Sequence, residues 1–307
     1  MEVLRGIMLK IASVTLFIIM ASLIKSTAGQ IPPGEAVFFR SFFALPVILV
    51  WLIIKKEVRT GLKTAHPMRH VWRGLVGTTA MGLGFTGLGL LPFPEVTAIG
   101  YAAPLLTVVF AAMFLGEEVR VFRLSAVVLG LVGVLIVLSP RFSALAGVGM
   151  DHREAFGATV VLMGAGCSAL AQVFIRKMVF TERTSAIVFY FTVTSTLLSL
   201  LTIPFGWAIP APREAAYLVL AGLFGGVGQI FLTSSYRFAD ASVIAPFEYT
   251  SMILALAIGY FIFSEVPSLT MLFGAFLVIL AGVAIILRER ALGLERTRQR
   301  KAMTPQG

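Results

Sequence analysis

The residue with the clearest chemical potential in this sequence is Glu248, which lies within the apolar run SVIAPFEYTSMILALAIGYFIFSE at 242–265. A carboxylate at membrane depth is costly unless it is paired or faces water. Glu248 therefore either faces a cavity, where it contacts a substrate or carries a proton, or acts as the structural partner of a buried arginine. Apolar surroundings favour the uncharged carboxyl, so the first interpretation predicts that Glu248 binds and releases a proton.

Two prolines interrupt apolar runs close to chemically useful side chains. Pro104 and Pro246 each remove a backbone hydrogen bond, which a membrane tolerates mainly where protein or a watery cavity covers the break. Aromatic side chains stand beside them and amides lie on two further runs: Tyr101, Phe247, Tyr249, Gln172 and Gln229. Such rings are more often packing than a binding site. Together with Glu248 and the broken helices, they still form the best candidate pocket, and a flat neutral heteroaromatic ligand would suit it.

A second charged residue, Arg40, lies inside the apolar segment FFRSFF. It either binds a carboxylate or phosphate of a substrate, or extends to the outer interface and pairs with Glu35 or Glu95. The structural role is favoured because the helix end is within reach of an arginine. Lys10 and Lys25, at opposite ends of the first apolar run, are explained by the same extension toward the interfaces.

Several catalytic chemistries are excluded by what the chain does not contain. The only aspartates are Asp151 and Asp240, too few for Mg²⁺-diphosphate chemistry, and no Walker A motif is present. His66 and His70 have a metal-ligand spacing, but Pro67 between them predicts a solvated loop. Neither a catalytic site, a metal site nor a cofactor is therefore predicted. A lipid-modifying enzyme stays as a distant alternative, since it would need clustered His, Asp or Cys.

The elements that position these residues are membrane-spanning helices. The chain is 58% hydrophobic and 13% charged, with a mean hydropathy of +0.94, which is typical of an integral membrane protein. About 20 apolar residues per span predict ten spans, near 6–25, 35–54, 71–91, 94–115, 121–139, 156–176, 184–207, 214–236, 241–263 and 268–287. The net charge of +10 lies in short gaps between these spans, so no nucleic-acid partner is expected.

The sequence repeats itself. Residues 94–118 are echoed at 242–265, so that Tyr101 matches Tyr249 and Glu117 matches Glu265, both 148 positions later. Five spans per copy is an odd number, so the second copy enters the membrane in the opposite orientation. We predict an all-α fold of two inverted five-helix repeats, at 1–139 and 156–288, with a periplasmic linker at 140–155 and a basic cytoplasmic tail at 289–307.

Charge asymmetry predicts the orientation. With the N-terminus inside, 19 of the 25 Lys and Arg lie in inner segments and four in outer ones. Positive residues are enriched in cytoplasmic loops. Both termini are therefore expected in the cytoplasm, with the chain multi-pass in the bacterial inner membrane.

These features resemble the drug/metabolite transporter superfamily in its ten-helix EamA-type branch, over residues 6–288. The matching positions are Pro33 with Glu35 and Arg40, Arg73, Pro104, Gly116-Glu117, and Tyr249 with Glu265 in the second copy. The second copy departs from the pattern, with Ser264 in place of Gly116 and Met252 in place of Pro104, which weakens any claim that the halves contribute equally to a site.

The resemblance implies a basket-like bundle with a central cavity, alternating access and secondary transport of a small polar or aromatic metabolite without ATP hydrolysis. The N-terminal stretch LRGIMLKIASVTLFIIMASLIK followed by IPPGEAVFFRSFF is similar to the riboflavin-importer members, which makes riboflavin uptake the first candidate activity. Export of amino acids or drugs is the alternative. The expected partners are a small-molecule substrate, the lipid bilayer and a proton. Oligomeric state is left open.

Overall fold

The protein is described by a computed structural model that covers residues 2–58, 60–115, 121–143, 152–178, 181–238 and 245–303. Within these ranges every regular element is helical, which confirms the all-α prediction. The α-helices are α1 (Glu2–Thr27), α2 (Pro33–Phe42), α3 (Ala44–Ile54), α4 (Pro67–Leu90), α5 (Phe93–Gly100), α6 (Ala102–Leu115), α7 (Val121–Ser143), α8 (His152–Met178), α9 (Thr184–Leu200), α10 (Pro212–Phe238), α11 (Thr250–Phe263) and α12 (Leu269–Met303).

These helices, together with one 3₁₀ segment, account for the ten predicted spans. Three of the spans consist of two helical pieces each. α2 and α3 form the second span, α5 and α6 form the fourth, and a 3₁₀ segment at Ala245–Tyr249 joins α11 in the ninth. Five spans are both long and apolar enough to cross a membrane: Val3–Thr27, Pro33–Ile54, Phe93–Phe114, His152–Ile175 and Pro212–Ser235. Four shorter apolar helices accompany them, and α4 completes the set. The chain is an all-α integral membrane protein.

The fourth and ninth spans are broken at equivalent residues. Pro104 has no N–H to donate to the carbonyl of Gly100, four residues earlier, and α5 ends at Gly100. Tyr101 then takes φ −68° and ψ −6° before α6 begins. In the second copy Tyr249, with φ −69° and ψ −12°, ends the 3₁₀ segment that contains Pro246. The two tyrosines therefore mark the same joint in each repeat.

The seventh span is shorter than predicted. The expected range was 184–207, but α9 ends at Leu200 and is followed by a 3₁₀ turn at Ile203–Phe205. Pro204 cannot donate to the carbonyl of Leu200, and Gly206 has a positive φ of 91° that suits glycine. The Trp207 indole N–H donates to Thr202 Oγ1 at 2.9 Å, which fixes this turn.

The two repeats are interleaved by their closest helix pairs. α1 packs along α10, α4 along α8 and α7 along α12, and each pair joins one repeat to the other. Small residues allow the close approach in α7 and α12, where a side chain at Gly133 would meet the carbonyl of Gly274 and one at Gly274 would meet that of Gly133. The described helices thus form one bundle whose core lies between the halves.

Candidate functional site

Glu248 forms an ion pair with Lys10 of α1. Glu248 lies in the 3₁₀ segment that begins the ninth span, and its Oε2 is 3.2 Å from Lys10 Nζ. The lysine side chain is 3% exposed and the glutamate side chain 36%. The expectation that Lys10 extends toward the interface is wrong, since its ammonium turns into the protein to meet the carboxylate. The partner of Glu248 is therefore a buried lysine, and one carboxylate face stays open.

The position of Lys10 depends on the contact between α1 and α10. One turn after Lys10, Ser13 Oγ donates to the carbonyl of Gly228 at 2.8 Å in a buried hydrogen bond. A side chain at Gly228 would press on Phe17 of α1, so glycine keeps the two helices close. Gln229 follows on α10 and is buried. These contacts hold α1 in register beside the segment that carries Glu248.

Tyr101 and Tyr249 lie close together, and their rings pack on each other. Their ring centroids are 5.0 Å apart in an edge-to-face arrangement, and both rings are buried. Tyr101 Oη lies 2.6 Å from Ser251 Oγ, and the hydroxyl of Tyr249 rests against Gly282 of α12. A flat ligand cannot stack on either ring without moving these contacts. Phe247 remains half-buried beside them.

Gln172 lies on α8, away from the ion pair in the described contacts. Its side chain is half-buried, and no described hydrogen bond joins it to Glu248, Tyr101 or Tyr249. α8 packs against α4, α5 and α6, so Gln172 belongs to the side of the bundle formed with the first repeat. Glu248 directly precedes Tyr249 in the 3₁₀ segment, whereas Gln172 lies on a separate helix.

Arg40 occupies a different place, together with an arginine whose role the sequence did not reveal. Arg40 and Arg73 of α4 are both buried, and their guanidinium carbons lie 5.7 Å and 3.9 Å from the ring centroid of Phe191 on α9. Arg40 donates to the carbonyl of Gly225 at 3.5 Å. It does not reach Glu35, which instead accepts from the backbone N–H of Ala208. The predicted pairing with Glu35 is therefore not formed.

The sequence marked Arg73 only as one of the positions that carry the family resemblance, at the opening of the third span. A side chain at Gly77 would collide with Arg73 Nη1, and one at Gly74 would collide with Thr194 of α9. These glycines let α4 approach α9 and leave space for the guanidinium. Only the structure places Arg73 beside Phe191.

A second ion pair closes the end of the bundle that we predict to be outer. Lys25 Nζ lies 2.9 Å from Glu265 Oε1 and also donates to the carbonyl of Leu91 at 2.7 Å. Glu265 Oε2 accepts from the backbone N–H of Phe93 at 2.6 Å, at the start of α5. Ser264 directs Glu265 toward α1 by adopting a positive φ of 55° after α11. This outer ion pair ties the first, fourth and ninth spans. Its repeat mate Glu117 lies outside the described residues.

The opposite end holds a polar cluster around Glu182. His70 is buried rather than solvated, so the loop prediction was wrong for it; its Nε2 lies 3.7 Å from Glu182 Oε2. Burial alone would raise the pKa of Glu182, but hydrogen bonds from Thr64, Ala65 and His66 together with nearby His70 lower it below its usual range. No group of three or more potential metal ligands occurs in the described part of the chain.

A cavity of about 270 Å³ lies between the predicted outer ends of α1, α2, α4 and α8. Its wall is mainly apolar and includes Ile24, Ala36, Phe85, Thr86 and Phe156, with Arg153 at the rim. Ala36 is one turn from Arg40 on α2. Neither Arg40 nor Arg73 lines this cavity.

Comparisons with known proteins identify relatives over most of the chain. The model of the EamA-like transporter family matches twice, over residues 4–139 and 155–288. An S-adenosylmethionine uptake transporter of Rickettsia felis is 29% identical over 258 residues, covering 83% of this chain and 83% of the relative. A pseudopaline exporter of Pseudomonas aeruginosa is 29% identical over 290 residues, covering 91% and 95%. A crystal structure with 21% sequence identity matches 94% of this chain and 98% of its own with a TM-score of 0.66, which shows the same fold.

Proposed function

Because this chain belongs to the EamA-like transporter family, we propose that it is a secondary transporter that moves a small charged metabolite across the bacterial inner membrane by alternating access. It is a membrane transporter and not an enzyme. The substrate or a coupling proton acts at Glu248. The observation that carries this proposal is the ion pair between Lys10 and Glu248, in which the carboxylate is partly open and the ammonium is buried.

The chemistry of this pair fits an exchange of partners. A carboxylate held by one lysine can release it and accept the cationic group of a substrate, or a proton, without being left uncompensated. The Lys10 side chain can then leave the carboxylate and move with α1, which packs along α10 in the other repeat. Binding at Glu248 would in this way be transmitted to the contact between the two repeats, which alternating access must rearrange.

The two named relatives differ in transport direction and in substrate, since one is named for uptake of S-adenosylmethionine and the other for export of pseudopaline. Riboflavin uptake, expected from the N-terminal segment, stays an untested candidate. Its physical support is reduced, since Tyr101 and Tyr249 pack on each other and leave Phe247 as the half-buried ring. Export of amino acids or drugs stays the alternative.

The test is counterflow in proteoliposomes, which detects exchange whichever direction operates in the cell. Proteoliposomes that contain the purified protein would be loaded in turn with riboflavin, S-adenosylmethionine and representative amino acids. Entry of the same labelled compound would then be measured with and without a pH gradient. We expect saturable exchange for at least one compound. Absence of exchange for every compound, with correctly folded protein, would count against a transporter of these classes.

Variants separate a binding or coupling role of the pair from a structural one. Glu248→Gln and Lys10→Met each break the pair, and the double variant removes both charges. A purely structural pair predicts that the double variant recovers transport, because no uncompensated charge remains. We expect instead a folded double variant without exchange. If Glu248→Gln keeps transport with unaltered pH dependence, the carboxylate does not carry the proton.

A further inference from the structure

Two buried arginines share one aromatic ring in the interior of the bundle. Arg40 and Arg73 are 3% and 5% exposed, and both guanidinium groups lie over the Phe191 ring. Since the carbon distances to the ring centroid are 5.7 Å and 3.9 Å, the guanidiniums are at most about 10 Å apart, a range at which like charges repel in a low-dielectric interior. We call these two residues the arginine pair.

The arginine pair lies near the middle of the membrane. Arg40 is seven residues from the start of α2 at the predicted outer side, and Arg73 is six from the start of α4 at the inner side, which places each about 10 Å from its own end. Their long side chains point toward each other, because both reach Phe191, near the centre of α9. Neither guanidinium is at an interface where water would solvate it.

Most of the hydrogen-bonding capacity of the arginine pair is unused. Nε and Nη1 of both residues are buried and have no hydrogen-bond partner in the described part of the chain, where Arg40 donates through Nη2 to the carbonyl of Gly225. Among the described residues no carboxylate forms an ion pair with either. A buried cation without a counter-charge is strongly unfavourable. Glycines at 77 and 225 nevertheless keep space for both guanidiniums, since a side chain there would crowd them.

We infer that the arginine pair is an anion subsite that binds a carboxylate or phosphate group of the transported metabolite. The inference rests on the proposed function and adds the anionic end of its substrate. Guanidinium groups present N–H donors in a planar fork that matches such oxyanions. The site is distinct from Glu248. Gly225, which contacts Arg40, and Gly228, which accepts from Ser13 beside Lys10, are however less than one turn apart on α10. Both sites therefore adjoin the same stretch of α10.

The first arm of the test measures anion binding without transport. The thermal unfolding midpoint of the detergent-purified chain would be compared in succinate, inorganic phosphate and chloride at matched ionic strength. We expect succinate or phosphate to raise the midpoint by several degrees more than chloride. Equal stabilisation by chloride would assign the site to a small inorganic anion and overturn its assignment to the metabolite.

The second arm uses Arg40→Met and Arg73→Met, with Arg69→Met as the control. Arg69 is exposed on the same helix as Arg73, one turn nearer its start. Without added anion, we expect Arg40→Met and Arg73→Met each to leave the thermal unfolding midpoint unchanged or to raise it, because each removes an uncompensated buried charge. Their extra stabilisation by succinate or phosphate should disappear. A lowered midpoint without anion, or undiminished stabilisation with it, would show a structural role. If the Met variants do not fold, Arg73→Lys should keep part of the anion effect.

Counterflow then separates this inference from the proposed function. For the compound exchanged by the wild type, Arg73→Met should raise KM by at least about tenfold, since a buried charged contact has been lost, while Arg69→Met should not. An unchanged KM in Arg73→Met would overturn the anion subsite and leave the transporter intact. Loss of exchange in the wild type itself would instead contradict the proposed function, whatever the anion-binding arm shows.

Discussion

Tyr101 and Tyr249, the equivalent residues of the two sequence copies, are in direct contact, with ring centroids 5.0 Å apart and ring planes at 73°. Each ends the first helical piece of its span, with nearly the same backbone angles. In inverted repeats, two equivalent residues can touch only close to the pseudo-two-fold axis that exchanges them. The tyrosine contact therefore marks this axis, and Tyr249 carries the contact onward to Gly282 of α12.

The first prediction concerns Gly282. An added methyl group would overlap the Tyr249 hydroxyl and ring, so Gly282→Ala should lower the free energy of unfolding by about 1–3 kcal/mol through overpacking. Thermal unfolding of the purified protein measures it. Gly166→Ala is the matched control, since no atom lies within 4 Å of a methyl group there. The control should be neutral or slightly stabilising. Equal effects of the two changes would show that the Tyr249–Gly282 contact does not constrain the fold.

The second prediction concerns the outer ion pair of Lys25 and Glu265. Glu265→Gln removes the charge that holds Lys25 and weakens the link from α1 to α5 and α11. We expect this end to open more often. In a Cys167→Ser background, labelling of an Ala28→Cys variant by a membrane-impermeant maleimide should then accelerate at least about tenfold, since charged hydrogen bonds contribute about 1.5–3 kcal/mol.

Lys25→Met provides the control for this experiment. It breaks the same pair from the other side, so it should accelerate labelling similarly, and the double variant should add little. Unaltered labelling in both single variants would mean that the outer ion pair does not limit access at Ala28.

The third prediction is a pH dependence at the opposite end. Because the folded pKa of Glu182 is lowered, its ionised form stabilises the fold above the unfolded pKa, and this contribution is lost as pH falls through the folded value. The difference in unfolding midpoint between wild type and Glu182→Gln should shrink as the pH falls below about 4. Glu57→Gln is the control, since Glu57 takes part in the described loop hydrogen bonds only through its backbone. A constant difference down to pH 3 would contradict the assignment.

The fourth prediction is the topology. Green fluorescent protein fused after Met303 should fluoresce, and alkaline phosphatase fused there should be inactive, because both termini are expected in the cytoplasm. Alkaline phosphatase inserted within 144–150 should be active, since an odd number of spans precedes it. The reverse pattern at both positions would show that both termini lie outside the cytoplasm. The inner and outer ends assigned to the two ion pairs would then have to be exchanged.

Much of the fold follows from the sequence alone, because the membrane limits the choices. Apolar runs of about 20 residues must become helices that satisfy their own backbone groups. The repeat at 94–118 and 242–265 then requires two copies, and five spans in each require inversion. Pro104 and Pro246 also located the joints of the fourth and ninth spans, since a proline interrupts helical hydrogen bonding wherever it lies. These are local or length-based constraints.

Only the tertiary structure decided which charges meet. Lys10 and Glu248 are 238 positions apart and Arg40 and Phe191 are 151 apart, so no local pattern links them. The directions of two side chains also differ from those expected from the sequence. Lys10 points into the protein because it pairs with the Glu248 carboxylate there, and Arg40 points toward Phe191 because Gly225 leaves space for it. The sequence determined how many helices cross the membrane and where they break. The packing of one repeat against the other decided which buried charges are neutralised and which have no counter-charge among the described residues, because that depends on contacts between distant helices.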